Sequence, residues 1–427
     1  MTKGFDIFTV PRVAHYFRDV DLHGNACPEF VPESFPTYCQ PDDDEWSAGL
    51  LQRIALRLHH LWPTYGIRNG ERTIRGKHPA VCFTNFSLSD LSAVRDGFES
   101  QNGVVTQYAI TIPVKGAEEG GIQPVIQWVD GRPYLQDGTP FDGSLEETDT
   151  EYRFLTEAAQ SMSQLDGSRE WRWRYSGNYH RSALKIQARG LEGSVIPGLN
   201  LTDEKWSGIG IVVPNMPTAR LLQYDILSLI DKGLVSETHF DHILVCDRLP
   251  VSLEGMSEEQ LQVALSEACF DFKSCLEVSS EEAAAAELDF HNRLELLEST
   301  TPREPEREYG GCWLWFQDND QPYVRALIKA GRVKPNLKGR YLADLSELRV
   351  VRELRDPQKL RDLRDCQNIA SVLSKQLKEK YGVRSTYFSV LKSYSPDDDP
   401  AYAGRIWGGG YFILPEPDED DEDDEDS

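Results

Sequence analysis

The stretch GIGIVVPNMPTARLLQYDILSLIDKGLVSETHFDHILVCDRL, residues 208–249, decides the fold class. GIGIVVPN and HILVCDRL are short apolar runs that read as strands, and TARLLQYDILSLIDKG between them carries apolar residues at helical spacing. A strand, a helix and a strand in that order imply a mixed α/β or α+β core rather than a helix bundle.

Upstream of this stretch the same alternation holds. FTVPRVAHYF (8–17) reads as a strand running into a Pro-rich, irregular segment, and EWSAGLLQRIALRLHHLW (45–62) repeats Leu50, Leu51, Ile54, Leu58 and Leu61 at helical spacing. AVCFTNF (80–86) reads as a strand followed by a short helix capped near Ser87 to Asp90; VVTQYAITIPV and PVIQWV read as strands, and EYRFLTEAAQSM (151–162) as a helix. REWRWRY (169–175) is a further strand before the central stretch.

Downstream, residues 251–308 read as a helical connector: MSEEQLQVALSEACFDF and SSEEAAAAELDFHNRLELLES are helical, the second with a capping signal, and TTPREPERE is a charged linker. Residues 309–413 form a smaller α/β domain with the aromatic strand GGCWLWF, a helix over DLRDCQNIASVLSKQLKEKYG and the strand STYFSVLKS. Residues 414–427 form a polyacidic tail expected to be disordered. The expected organisation is therefore 1–250, 251–308, 309–413 and 414–427.

Composition bounds the function. The 427 residues are 40% hydrophobic and 10% aromatic, with nine Trp, so most of the chain should fold. The net charge is −25, and the ten carboxylates of 416–427 account for only part of it. Such a chain is not built for broad phosphate neutralisation, although a local basic cleft remains compatible with it. No long apolar run is present, so a cytoplasmic protein with no membrane contact is expected. The eight Cys are scattered without a CxxC pair, which favours reduced thiols over zinc or disulfides. Glycine-rich phosphate loops are absent. HFDH (239–242) offers His239, Asp241 and His242, but it precedes a strand and lacks an acidic partner at metal-site spacing, so no metal is expected.

His15, Tyr16 and Phe17, then Cys82, Phe83, Thr84 and Asn85, then Glu170, Trp171 and Arg172, followed by the strand at 208–215, together resemble the AbiGi-type abortive-infection (phage-resistance) family over residues 8–250. Departures are the Pro-rich loop after His15 and an insert, KGAEEGG, near residue 115. Residues 309–413, through GGCWLWF, VRALIKAGRV and GRYLADL, resemble a C-terminal domain of unknown function found in bacterial proteins.

An early His, a middle hydroxyl and a late Glu also resemble ADP-ribosyltransferases in their order. That resemblance implies a split β-sheet, NAD as cofactor, His15, Thr84 and Glu170 as catalytic residues, and His15, Tyr16, Phe83 and Arg172 against the dinucleotide. The carboxylate would stabilise positive charge on the ribosyl carbon as nicotinamide leaves. It implies a defence or toxin-like protein modifying a protein or nucleic-acid acceptor, with the C-terminal domain receiving a phage trigger or partner. The alternative is a non-enzymatic sensor or antitoxin-like binding protein. In that case His15 is a hydrogen-bonded core residue and Glu170 with Arg172 is a structural charge pair. Trp313 and Trp315 share one strand face, where core packing competes with a role as a nucleotide platform.

Overall fold

The computed structural model describes residues 10–21, 45–64, 67–68, 71–72, 74, 79–98, 104–129, 132–134, 154–155, 170–178, 181, 198–303, 307–349 and 361–404. It is a mixed α/β protein that divides into two compact units. The first comprises residues 1–222 and 235–272, the second 223–234 and 273–427.

The first unit is built on an eight-stranded sheet. Its strands are β1 (Arg12–Tyr16), β2 (Ala80–Asn85), β3 (Ala109–Pro113), β4 (Ile122–Pro124), β5 (Glu170–Arg174), β6 (Ile209–Val213), β7 (Phe240–Val245) and β8 (Cys269–Phe270). They lie in the order β8-β7-β6-β3-β1-β2-β5-β4. Only β6 and β7 run parallel; the other neighbours are antiparallel. A parallel pair needs a crossover, which the sequence supplies between β6 and β7 as a helix.

Helix α1 (Ala48–Arg57) starts where Ser47 accepts a hydrogen bond from Leu50 N, and it is tied to the sheet by Gln52. The buried Gln52 amide donates to the carbonyls of Ala109 and Val212, both at 2.9 Å. Helix α2 (Leu88–Arg95) is capped by Ser87, as its sequence predicts. The KGAEEGG segment, read as an insert, contributes to helix α3 (Val114–Glu119), anchored by the buried Ala117. In EYRFLTEAAQSM, expected to be helical, Phe154–Leu155 is a strand that pairs with Ile126 and Gln127; the rest lies outside the described residues. Local propensity there is overridden by pairing with a neighbouring strand.

Helix α4 (Met216–Asp231) joins β6 to β7. Its residues through Leu222 belong to the first unit and those from Gln223 to the second. Helix α5 (Glu258–Ala268) opens with a capping box of Ser257 and Gln260 and buries Leu265 and Ala268 with Leu244 and Cys246. Helix α6 (Ser280–Thr300) opens with a second box, Ser279 and Glu282, and buries Phe290 and Leu294 in the second unit. The expected 251–308 connector is thus divided between the units, because each of its helices has its own apolar face to bury.

The second unit carries a five-stranded antiparallel sheet: β9 (Gly310–Phe316), β10 (Val333–Pro335), β11 (Tyr341–Asp344), β12 (Ser385–Leu391) and β13 (Tyr402–Ala403), in the order β10-β11-β9-β12-β13. Helices α7 (Pro322–Lys329) and α8 (Leu363–Tyr381) join α6 around Cys312, Leu314 and Phe316. GGGYFI and the acidic tail lie outside the described residues. Among the described residues no helix is long and apolar enough to cross a membrane.

Candidate functional site

Glu170, Thr84 and Arg172 meet on one face of the first unit's sheet, and His15 does not join them. On the antiparallel pair β2–β5, Glu170 is the direct partner of Thr84 and Arg172 that of Cys82. Directly opposed residues project to the same face, so these four side chains form a compact block. On β1 the partner of Thr84 is Ala14. Successive strand residues point to opposite faces, so His15 is carried to the other side of the sheet.

His15 there packs edge-on against Phe17 and Phe83, with ring centroids 4.9 and 5.7 Å away. Its Nδ1 lies 2.8 Å from the Cys82 carbonyl oxygen; since a carbonyl only accepts, Nδ1 carries the proton. Burial pushes its pKa down to about 4, against the opposing effect of that hydrogen bond, so the ring is neutral. His15 is thus a half-buried, hydrogen-bonded histidine, and Phe83 shares its face. Trp171 is on that side too, donating to Asn85 Oδ1 at 2.7 Å.

Within the block, Arg172 Nε donates to Glu170 Oε1 at 2.7 Å. The Arg172 side chain is only 1% exposed, while that of Glu170 is 29% exposed. Burial works against the guanidinium charge, and Glu170 and Cys82 more than offset it, so the Arg172 pKa is raised. The Cys82 thiol is pushed up to about 12, first by burial and then by the Glu170 charge, with Arg172 opposing. Arg172 is therefore placed to orient Glu170; its burial does not suit the pyrophosphate contact expected from the sequence.

The row containing Thr84 and Glu170 continues across the sheet. His242, Gly210, Thr111, Ala14, Thr84 and Glu170 are successive direct partners on β7, β6, β3, β1, β2 and β5. Gly210 is required there, since an added Cβ would lie 2.4 Å from His242 Nε2 and 2.6 Å from Thr111 Oγ1. Arg12 Nε donates to Thr111 Oγ1 at 2.9 Å, and His242 Nδ1 lies 3.0 Å from Asp241 Oδ2. His239 Nε2 donates to the Leu201 carbonyl at 2.7 Å, so the two histidines of HFDH have separate partners. Among the described residues no group of three or more His, Cys, Asp or Glu is arranged to hold a metal ion. Tyr16 lies on the same face as Thr84, packed with the cluster of Ala14, Ala109, Val212 and Leu244.

Cys82 and the Ala14–Thr111–Gly210 row are what sequence reasoning missed. In the sequence Cys82 enters only among the residues that carry the resemblance, and its proximity to Glu170 follows from register alone. In the second unit, Trp313 and Trp315 do share a face, each 5% exposed and packed with Leu342, Phe388 and Val390. The Arg340 guanidinium lies 5.5 Å from the Trp315 ring and 5.4 Å from that of Phe388. So enclosed, the indoles serve as core rather than as a stacking platform.

Residues 289–412 match the model of a family described as protein of unknown function (DUF4427). The matched segment begins inside α6 and so takes in part of the helix that packs on the second unit's sheet. The comparison with curated proteins returns no match. Nor does any solved structure match the chain.

Proposed function

We propose that the first unit is the catalytic part of a phage-defence or toxin-like protein that transfers ADP-ribose from NAD, with Glu170 and Thr84 as the groups facing the reacting ribose. The observation that supports this most is the direct cross-strand pairing of Thr84 with Glu170, whose partly exposed carboxylate is braced by a buried arginine. A fixed carboxylate beside the ribosyl carbon stabilises the positive charge that develops as nicotinamide departs. The adjacent Thr84 hydroxyl supplies a hydrogen bond that orients the ribose.

The residues fit such a group in part. A carboxylate, a hydroxyl and Tyr16 share one face, which suits a ribose. His15 and Phe83 lie on the other face and are not assigned to the dinucleotide. The second unit, as the sensing or targeting part, would receive the phage trigger or partner protein.

A second reading is favoured by the burial of Arg172: a structural ion pair within β5 in a non-enzymatic binding protein. Incubating the purified full chain with labelled NAD, alone and with nucleic acid, cell lysate or infected-cell extract, separates the two. Nicotinamide release or label transfer that disappears in Glu170→Gln at unchanged thermal stability is the expected outcome. Absence of turnover under all these conditions moves the function to binding.

A further inference from the structure

We infer that Arg172 and Cys82 are positioning residues for Glu170, so that Glu170, Thr84, Arg172 and Cys82 act as one coupled block. The inference rests on the assignment of Glu170 as the reacting carboxylate, and it names how that carboxylate is held. The geometry carries it. Glu170 and Arg172 are two apart on β5 and share a face, and their partners on β2, Thr84 and Cys82, are also two apart. The four side chains therefore occupy adjacent corners on one side of a single strand pair.

Each corner has a distinct task. Arg172 is buried and reaches Glu170 Oε1 through Nε at 2.7 Å, a charge-assisted bond that fixes the carboxylate's rotation. Cys82 stands directly opposite Arg172 and on the same face as Glu170, where both act on its sulfur. Toward the carboxylate the sulfur must be the donor, because an ionised carboxyl group only accepts. Cys82 must therefore stay protonated; burial keeps it so first and the Glu170 charge second, while Arg172 pulls the other way. Thr84 completes the block opposite Glu170 and is left on the reacting side.

Such coupling is readable at the sulfur without any turnover. Only the thiolate reacts with iodoacetamide, and Cys82 is partly accessible, so its alkylation rate reports how firmly the block holds the proton. The full chain is treated with iodoacetamide from about pH 6 to about pH 10, and modification is followed at each cysteine by peptide mass spectrometry. In Glu170→Gln burial still favours the thiol, but the Glu170 charge that adds to it is gone and Arg172 remains to favour the thiolate. Alkylation of Cys82 is then expected to move to lower pH and to accelerate on the order of tenfold or more near neutrality.

Cys246, buried in the turn that follows β7, serves as an internal control for folding. If Glu170→Gln exposes Cys246 as well, Glu170→Asp takes its place: it keeps the charge but draws it back, and an intermediate shift at Cys82 alone is expected. An unchanged Cys82 profile in the folded variant overturns the inference, leaving the four residues as neighbours without coupling. The proposed transferase activity stands or falls separately. A shifted profile without NAD turnover sinks the activity and keeps the block, whereas turnover with an unshifted profile does the reverse.

Discussion

The two sheets handle their interiors differently. In the second unit β9 is apolar on both sides, with Cys312, Leu314 and Phe316 against the helices and Trp313 and Trp315 in a separate cluster. In the first unit one face is crossed by His242, Thr111, Thr84 and Glu170, with Gly210 and Ala14 leaving room between them. The second unit's buried charges are partnered at its helix ends. Asp231 accepts from both terminal nitrogens of Arg325 at 2.7 and 2.9 Å and from Tyr341 at 2.6 Å. Arg361 donates to the carbonyls of Glu298, Thr301 and Pro302 at the end of α6. Polar burial of that kind fastens helices. The polar row of the first unit joins strands already held by their own ladders.

The contrast can be broken most severely at Asp231. Asp231→Ala removes one half of a pair whose side chains are 5% and 6% exposed, and is expected to cost about 3–5 kcal/mol, seen as an earlier denaturant-induced transition of the second unit. A cost near zero would mean that this hub is not structural.

Next in size is a pH effect at His15. Its folded pKa of about 4 lies below the ordinary 6.5, so on acidification the unfolded chain takes up a proton that the folded one refuses. Stability is independent of this group above pH 6.5, falls between pH 6.5 and pH 4 and levels off below that. The loss amounts to about 3 kcal/mol. His15→Gln should flatten the fall; His60 and His239, also shifted down by burial, keep some slope. Denaturant melts across that pH range in both proteins provide the check.

Smaller again is Arg361→Met, which strips the carbonyls at the end of α6 of their donors and should cost about 2 kcal/mol in the same melts. Least of all, Glu170→Gln keeps an acceptor for Arg172 and should cost about 1 kcal/mol or less. A loss several times larger there would move Glu170 into the class of Asp231 and erase the distinction between the two units.

Much of this architecture is legible in the sequence, and the reasons are local. Ser87 and Ser279 announce their helices because each satisfies an amide at a helix start, whereas the caps Ser47 and Ser257 emerge from the structure. GIGIVVPN, AVCFTNF and EWRWR announce strands through short apolar or aromatic runs. The identities of Thr84 and Glu170 as neighbours were reached by order alone, whereas their pairing is fixed by register. His15 shows the limit of that route: one residue's offset from Ala14 turns it to the opposite face, and no pattern within RVAHY reveals which of the two will oppose Thr84. Cys82 and Gly210 were likewise unreadable, since the groups they accommodate stand on other strands.

The assignment of Glu170 and Thr84, without His15, is tested most directly by one side-by-side assay: release of nicotinamide from labelled NAD by the full chain and by Glu170→Gln, Thr84→Val and His15→Gln, each confirmed folded by melting at pH 7.5, where by about one unit the His15 site is past its ordinary titration range. Loss of release in the first two variants and retention in His15→Gln is the predicted result. Loss in His15→Gln with full release by Glu170→Gln would contradict it and place the chemistry on the other face of the sheet.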